Sequence, residues 1–152
     1  MKNKTIFVLI FTLYILQNVT FGQNNDLLNE NIKDPSKNLN QANLIFKDIE
    51  NGFNNGDISY LSVFLSAQTY LNLSNGVNGY YSSNQAYYVL EDFLKTHQVA
   101  QFKFDNVQLD EGDVCGTGAY EYVFRGKRET AQVYVSLKRL GKKWKITQIT
   151  IN

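Results

Sequence analysis

The sequence predicts an α+β domain, a curved antiparallel sheet wrapped around a long helix and two shorter helices. Three observations carry this. Apolar residues recur at helical spacing in three stretches between residues 42 and 94. After residue 101 apolar and polar residues alternate instead, over four stretches. Short glycine-bearing joins separate those stretches, which makes successive strands antiparallel neighbours.

The chain has 152 residues, 43% of them hydrophobic and 19% charged, as in an ordinary folded protein. Its start has the order of a secretory signal. Lys2 and Lys4 precede an apolar run from Ile6 to Leu16, and Thr20-Phe21-Gly22 places small residues at −3 and −1 of a cut before Gln23. The run is too short for an anchor: eleven residues rise about 16 Å as a helix, against a bilayer core of about 30 Å. Residues 1–22 are therefore expected to direct export to the periplasm or the exterior, with no membrane insertion after cleavage. Losing Lys2 and Lys4 from 15 basic residues leaves 13 against 14 acidic ones, a net charge of −1. Such a chain has no global field to attract nucleic acid or an anionic membrane. The lone Cys115 permits no internal disulfide.

Residues 23–39 are polar, rich in Asn and contain the only proline, Pro35, which predicts a flexible linker or arm. A single domain is expected over 40–152. Ala42, Ile45, Phe46, Ile49 and Phe53 line one face of a helix that ends at Asn54-Asn55-Gly56. Asp57 is placed to cap a short helix carrying Ile58, Leu61, Phe64 and Leu65. Gln68 to Leu73 reads as a strand, Ser74 to Gly79 as a turn, and Tyr80-Tyr81 as a short returning strand. Ser82 and Gln85 have capping-box spacing ahead of Ala86, Val89, Leu90, Phe93 and Leu94, the long helix.

Phe102 and Phe104 open the first of the four meander strands. Val114 to Phe124 and Ala131 to Leu137 are the next two. In the last, Trp144 and Ile146 fall on one parity and Ile149 and Ile151 on the other, so a bulge is expected near Thr147-Gln148.

The order of these elements resembles the nuclear transport factor 2-like superfamily, the cystatin-like α+β cone. The residues that carry the resemblance are Asn55-Gly56-Asp57 with Leu61 and Phe64, Tyr81 to Ala86 opening the long helix, and the ending Lys143 to Ile151. Within that superfamily the chain is similar to short secreted bacterial proteins catalogued as a domain of unknown function. The superfamily holds isomerases, dehydratases, cyclases, immunity proteins and non-catalytic binders, so the resemblance implies a fold and leaves the activity open. It supplies no catalytic residue.

No catalytic constellation emerges from the residues themselves, and neither a cofactor nor a metal site is expected. His97, the only histidine, is expected exposed at the end of the long helix, outside any deep pocket and without a carboxylate to orient it. One His and one Cys on different elements do not make a zinc site. Asp105 and Glu121 alternate with aromatic residues and are expected to face water. Arg125 to Arg128 and Lys138-Arg139 with Lys142-Lys143 straddle successive turns at opposite sheet ends, which fits solvated hairpin ends. The one expected ligand-binding set is Tyr120, Tyr122, Gly116 and Gly118 on the concave face, where two glycines leave room and two phenols give apolar walls with polar tips.

Three functions follow. The first is an exported, non-catalytic binding module for a small apolar ligand or a protein partner, using the cone pocket or the outer sheet face. The second is a small pocket enzyme of the isomerase or dehydratase kind, which a buried acid bonded to a tyrosine would favour. The third is a structural protein forming a homodimer through Gln132, Tyr134 and Ser136.

Overall fold

The computed structural model describes residues 35–152. The expected signal segment lies outside the described residues, as does most of the expected linker. Helix α1 spans Pro35–Asn55, so it begins ahead of the boundary expected at residue 40. Proline suits the first helical turn, where its missing N–H has no partner to lose. Leu39, one turn before Ala42, packs partly buried against the core. With 21 residues, α1 exceeds the 14-residue α3 (Ser83–Thr96) that the sequence marks as the long helix.

At the end of α1 the N–H of Gly56 donates to Phe53 O and that of Asp57 to Gly52 O, 3.1 and 2.8 Å. These two bonds satisfy carbonyls that the last turn leaves over. Asp57 then accepts from Ser59 N at 2.9 Å, an Asx turn that leads into the short α2 (Ser59–Ser62), whose N-cap position falls to Ile58 instead of the expected Asp57 and carries no side-chain cap bond. Hydrogen bonding from the Ser59 side chain, and then from its backbone N–H, holds the Asp57 carboxyl below its ordinary range. For α3 the capping box is complete: Ser82 Oγ accepts from Gln85 N and Gln85 Oε1 from Ser82 N.

The strands are β1 (Leu65–Leu73), β2 (Asn78–Ser82), β3 (Gln98–Asp110), β4 (Asp113–Phe124), β5 (Lys127–Leu140) and β6 (Lys143–Ile151). They form one sheet in the order β2-β1-β6-β5-β4-β3. The β3–β6 meander is antiparallel as expected. One pair is not: β1 runs parallel to β6, because β2, α3 and the three strands β3–β5 intervene before the chain returns to β1's free side. Two hairpins turn on Glu111-Gly112 and Arg125-Gly126, all four residues at positive φ, the two-residue geometry that matches the strand twist.

The bulge falls where the parity switch places it. Ser136 pairs with Gln148 but Leu137 with Ile146, so Thr147 is the extra residue. It lets Trp144, Ile146, Ile149 and Ile151 all reach the core. The inner face of the sheet closes over α1 and α3, with Phe53, Leu61, Phe93, Tyr120, Leu137 and Ile149 fully buried.

Edge strand β3 is covered by α1 through side chains. Asn54 accepts from Phe102 N and donates to Phe102 O, at 2.8 and 2.7 Å. The buried Glu50 accepts from Phe104 N through Oε1 and holds Lys47 through Oε2. These bonds occupy the backbone groups that an edge strand would otherwise expose to a second chain.

Candidate functional site

The expected pocket of Tyr120, Tyr122, Gly116 and Gly118 needs correction, because the protein's own side chains fill it. Tyr120 is 0% exposed. Its ring meets Phe53 edge-on and Phe102 beside it, and its phenol donates to His97 O at 2.6 Å. That bond ties the end of α3 to the sheet. Burial raises the phenol well above the ordinary tyrosine range.

A Cβ at Gly116 would stand 2.5 Å from Phe46 Cε1 and 2.9 Å from Phe104 Cδ1. At Gly118 it would fall inside the carbonyl of Lys103 on the neighbouring strand. Both glycines admit neighbouring protein rather than a ligand. Of the four, Tyr122 borders an opening.

That opening is a cavity of about 350 Å³ at the end of α3, lined among others by Ser74, Asp92, His97, Tyr122 and Glu129. His97 is placed differently from the expectation. It does end α3, but it is buried, 5% exposed, and it lines the cavity. The ring is stacked between Phe93 and Phe124, with centroids at 4.1 and 4.7 Å. Two flat apolar neighbours explain the burial, since Phe124 continues the inner face of β4 past the helix end.

His97 Nδ1 stands 3.0 Å from Phe93 O and 2.9 Å from Thr96 Oγ1. A carbonyl oxygen only accepts, so Nδ1 is the donor towards Phe93 O. No carboxylate bonds the ring among the described residues, as the sequence leads one to expect. The ring secures its own helix end, where Thr96 Oγ1 also reaches Asp92 O and Phe93 O.

Tyr122 does bond an acid: its phenol donates to Glu129 Oε2 at 3.1 Å. Burial first, and then Glu129, push that phenol upward. Glu129 is exposed, so this is not the buried acid that would favour an enzyme.

The larger hollow lies on the opposite face of the sheet. Its volume is about 580 Å³, and Gln68, Tyr70, Tyr80, Tyr134, Ser136 and Gln148 supply most of its wall. Strand pairing brings them together. Tyr80 pairs with Tyr70, Tyr70 with Gln148, and Gln148 with Ser136, which makes one row across β2, β1, β6 and β5. All point away from the core because their parity is opposite to Leu71, Ile149 and Val135. The bulge at Thr147 bends the row into a concavity.

The phenols are held to different degrees. Tyr70 donates to Asn78 Oδ1 at 2.8 Å and its ring lies 5.2 Å from that of Tyr80. Tyr80 itself is 73% exposed. Tyr134 Oη stands 3.0 Å from Cys115 Sγ. The Cys115 contact, ahead of partial burial, pushes that phenol up to about 12. The charged lining residues are Lys138 and Asp113, which face each other at 3.6 Å. The hollow thus presents aromatic rings, amides and hydroxyls with its charges internally balanced.

The family model for a domain of unknown function, DUF4783, matches residues 46–152. No curated protein matches the chain. Among solved structures, a DUF4783 family protein from Bacteroides uniformis is similar at 17% identity and a TM-score of 0.62, over 70% of this chain and 94% of that one. An NTF2-like protein from Anabaena variabilis is similar at 20% identity and a TM-score of 0.61, over 80% and 92% of the two chains. A cystatin-like domain of unknown function from Nostoc punctiforme reaches a TM-score of 0.61 at 9% identity, over 78% of each. At these identities the likeness establishes the fold, the nuclear transport factor 2-like cone, and nothing of activity.

Proposed function

We propose, from the premise that this chain belongs to the DUF4783 family, that it is an exported binding module whose outer sheet face takes a small, neutral, hydroxyl-rich ligand. The supporting observation is the hollow walled by Tyr70, Tyr80 and Tyr134 with Gln68, Ser136 and Gln148. Its volume is of the size that small-molecule sites use. Phenol rings offer flat apolar contact at low conformational cost, and amides and hydroxyls orient a polar ring by hydrogen bonds. The balanced Lys138–Asp113 pair gives no net charge to recognise an ion. Export rests on the signal-like order of residues 1–22.

The filled cone interior speaks for the outer face over the inner one. His97 and Tyr122 support the pocket-enzyme reading less well, because the imidazole is anchored to a backbone carbonyl and Glu129 stands in water.

The test is saturation-transfer NMR of the full chain against neutral mono- and disaccharides, with Tyr70→Ser and Tyr134→Ser variants. Transfer to at least one sugar, lost in both variants while the far-UV circular dichroism is unchanged, is the expected result. Transfer to none, or transfer that survives both substitutions, overturns the proposal. Sedimentation over a dilution series separates the competing occupant, a second copy of the chain: a dimer broken by the same substitutions would assign this face to self-association instead.

A further inference from the structure

At the far end of the β5–β6 hairpin a third hollow, of about 420 Å³, lies between that hairpin and the α1–α2 region. Its walls are Ile45 of α1, Val63 and Phe64 after α2, and Trp144 of β6. Around them stand Lys142, Lys143 and Lys145, with Gln41 the other polar side chain of the lining. No carboxylate belongs to this lining, in contrast to the outer face, where Lys138 meets Asp113. Lys145 is oriented by donating to Val63 O at 2.7 Å. Lys142 and Lys143 form no ion pair among the described residues. Three lysines bordering an apolar floor concentrate a positive charge that the near-neutral chain as a whole does not have.

The wall holds one further unmatched group. Trp144 is 8% exposed, and its indole Nε1 is the one buried side-chain nitrogen or oxygen without a hydrogen-bond partner among the described residues. A buried donor left without an acceptor costs stability, and such groups in folded proteins call for an explanation. An anionic oxygen is the group that the lysines select.

We propose that this hollow is a binding site for a small amphipathic organic anion, a carboxylate whose apolar body lies against Ile45, Phe64 and Trp144 and whose charge is held by Lys142 and Lys143. The sequence suggests only solvated hairpin ends for these lysines. The fold adds the apolar floor, because Trp144 and Ile146 share one parity and α2 delivers Val63 and Phe64 beside them. The site is independent of the outer-face hollow and shares no residue with it.

Trp144 is the only tryptophan of the chain, so its emission reports on this hollow alone. The full chain is titrated with octanoate, octanol and octylammonium below their aggregation limits. Octanoate is expected to change the Trp144 emission saturably, and the two others to do so at least tenfold more weakly. The double substitution Lys142→Gln/Lys143→Gln, both side chains at exposed positions, is expected to weaken octanoate at least tenfold with circular dichroism unchanged. Tyr70→Ser is expected to leave octanoate binding as it is, which separates failure here from failure of the outer-face proposal. Equal responses to octanoate and octanol, or undiminished octanoate binding by the double variant, would overturn the assignment.

Discussion

Gly118→Ala probes whether the cone is closed. The added Cβ would lie inside the Lys103 carbonyl and 2.9 Å from both Lys103 C and Phe104 Cα. Ordinary carbon contacts are about 3.5–4.0 Å, so β3 and β4 would have to part by more than about 0.6 Å. The obstacle is backbone on the paired strand, Phe104 facing Gly118, and no side-chain rotation relieves it. Overpacking typically costs about 1–3 kcal/mol. Strained ladder bonds add to this, at about 1 kcal/mol each, so a loss of about 3 kcal/mol or more is expected. At Gly116 the obstacles are the Phe46 and Phe104 rings, which can give way, and about 1–2 kcal/mol is expected. Urea unfolding followed by circular dichroism measures both, and with a slope of about 1–3 kcal/mol/M the Gly118→Ala midpoint falls by about 1–3 M. Adding Phe46→Leu should recover part of the Gly116→Ala loss and none of the Gly118→Ala loss, a difference that a double-mutant cycle reads directly. If Gly118→Ala and Gly116→Ala both stay within about 0.5 kcal/mol of the natural chain, the two glycines face open space, and the interior is a ligand pocket after all.

Three further outcomes are expected. Ser82→Ala removes the capping box of α3 and should cost about 0.5–2 kcal/mol, whereas Phe93→Ala, on the buried face of the same helix, should cost about 3–5 kcal/mol; equal losses in the same urea titration would contradict the assignment of faces. The Tyr134 phenol is raised in the fold to about 12 from about 10, so its contribution is complete below pH 10 and is lost as pH climbs through 12; Tyr134→Phe should remove one late-titrating phenol from the phenolate absorbance and make the alkaline fall in stability shallower, and an unchanged titration would refute the Cys115–Tyr134 contact as its cause. Mass measurement of the protein from its native cell should find a chain starting at or within a few residues of Gln23, and recovery of the intact Met1 chain would refute export.

The elements were legible in the sequence wherever a single periodicity ran unbroken. The apolar face of α1, the capping box at Ser82 and the alternation of β4 and β5 each reflect local rules that tertiary contacts then reinforce. The parity switch between Trp144 and Ile149 even located the bulge at Thr147. What was not legible depends on distant partners. Asn54 reads as a helix terminator, yet it also pairs with both backbone groups of Phe102, 48 residues away. No sequence pattern singles out Glu50, yet it is buried to serve Phe104 N. His97 reads as an exposed helix end because nothing local says that Phe124 will stack on it. The row Tyr80-Tyr70-Gln148-Ser136 needs the parallel β1–β6 pairing, which joins segments more than 70 residues apart. The one available signal was the alternation itself, which puts Tyr70, Tyr134 and Gln148 on the polar side of their strands.

The same packing that hides these partners decides where a ligand can go. A cone of this kind can hold an internal cavity only if the residues facing each other across it are too small to meet. Here Phe46 reaches Gly116, Phe53 meets Tyr120, and Phe102 and Phe104 close on each other at 4.8 Å. Large rings set against glycines make one continuous contact surface, at the density of a protein interior. The Tyr120 phenol there is bound to His97 O. Two of the concavities that the curvature of the sheet leaves outside the core lie behind the Thr147 bulge and under the β5–β6 hairpin. Both places follow from β6, whose irregular register turns Trp144 inward at one end and Gln148 outward past the bulge. A substitution that regularised β6, deleting Thr147, would put Trp144 and Ile146 on the wrong face. It should therefore abolish both hollows together with the core, and not one hollow alone.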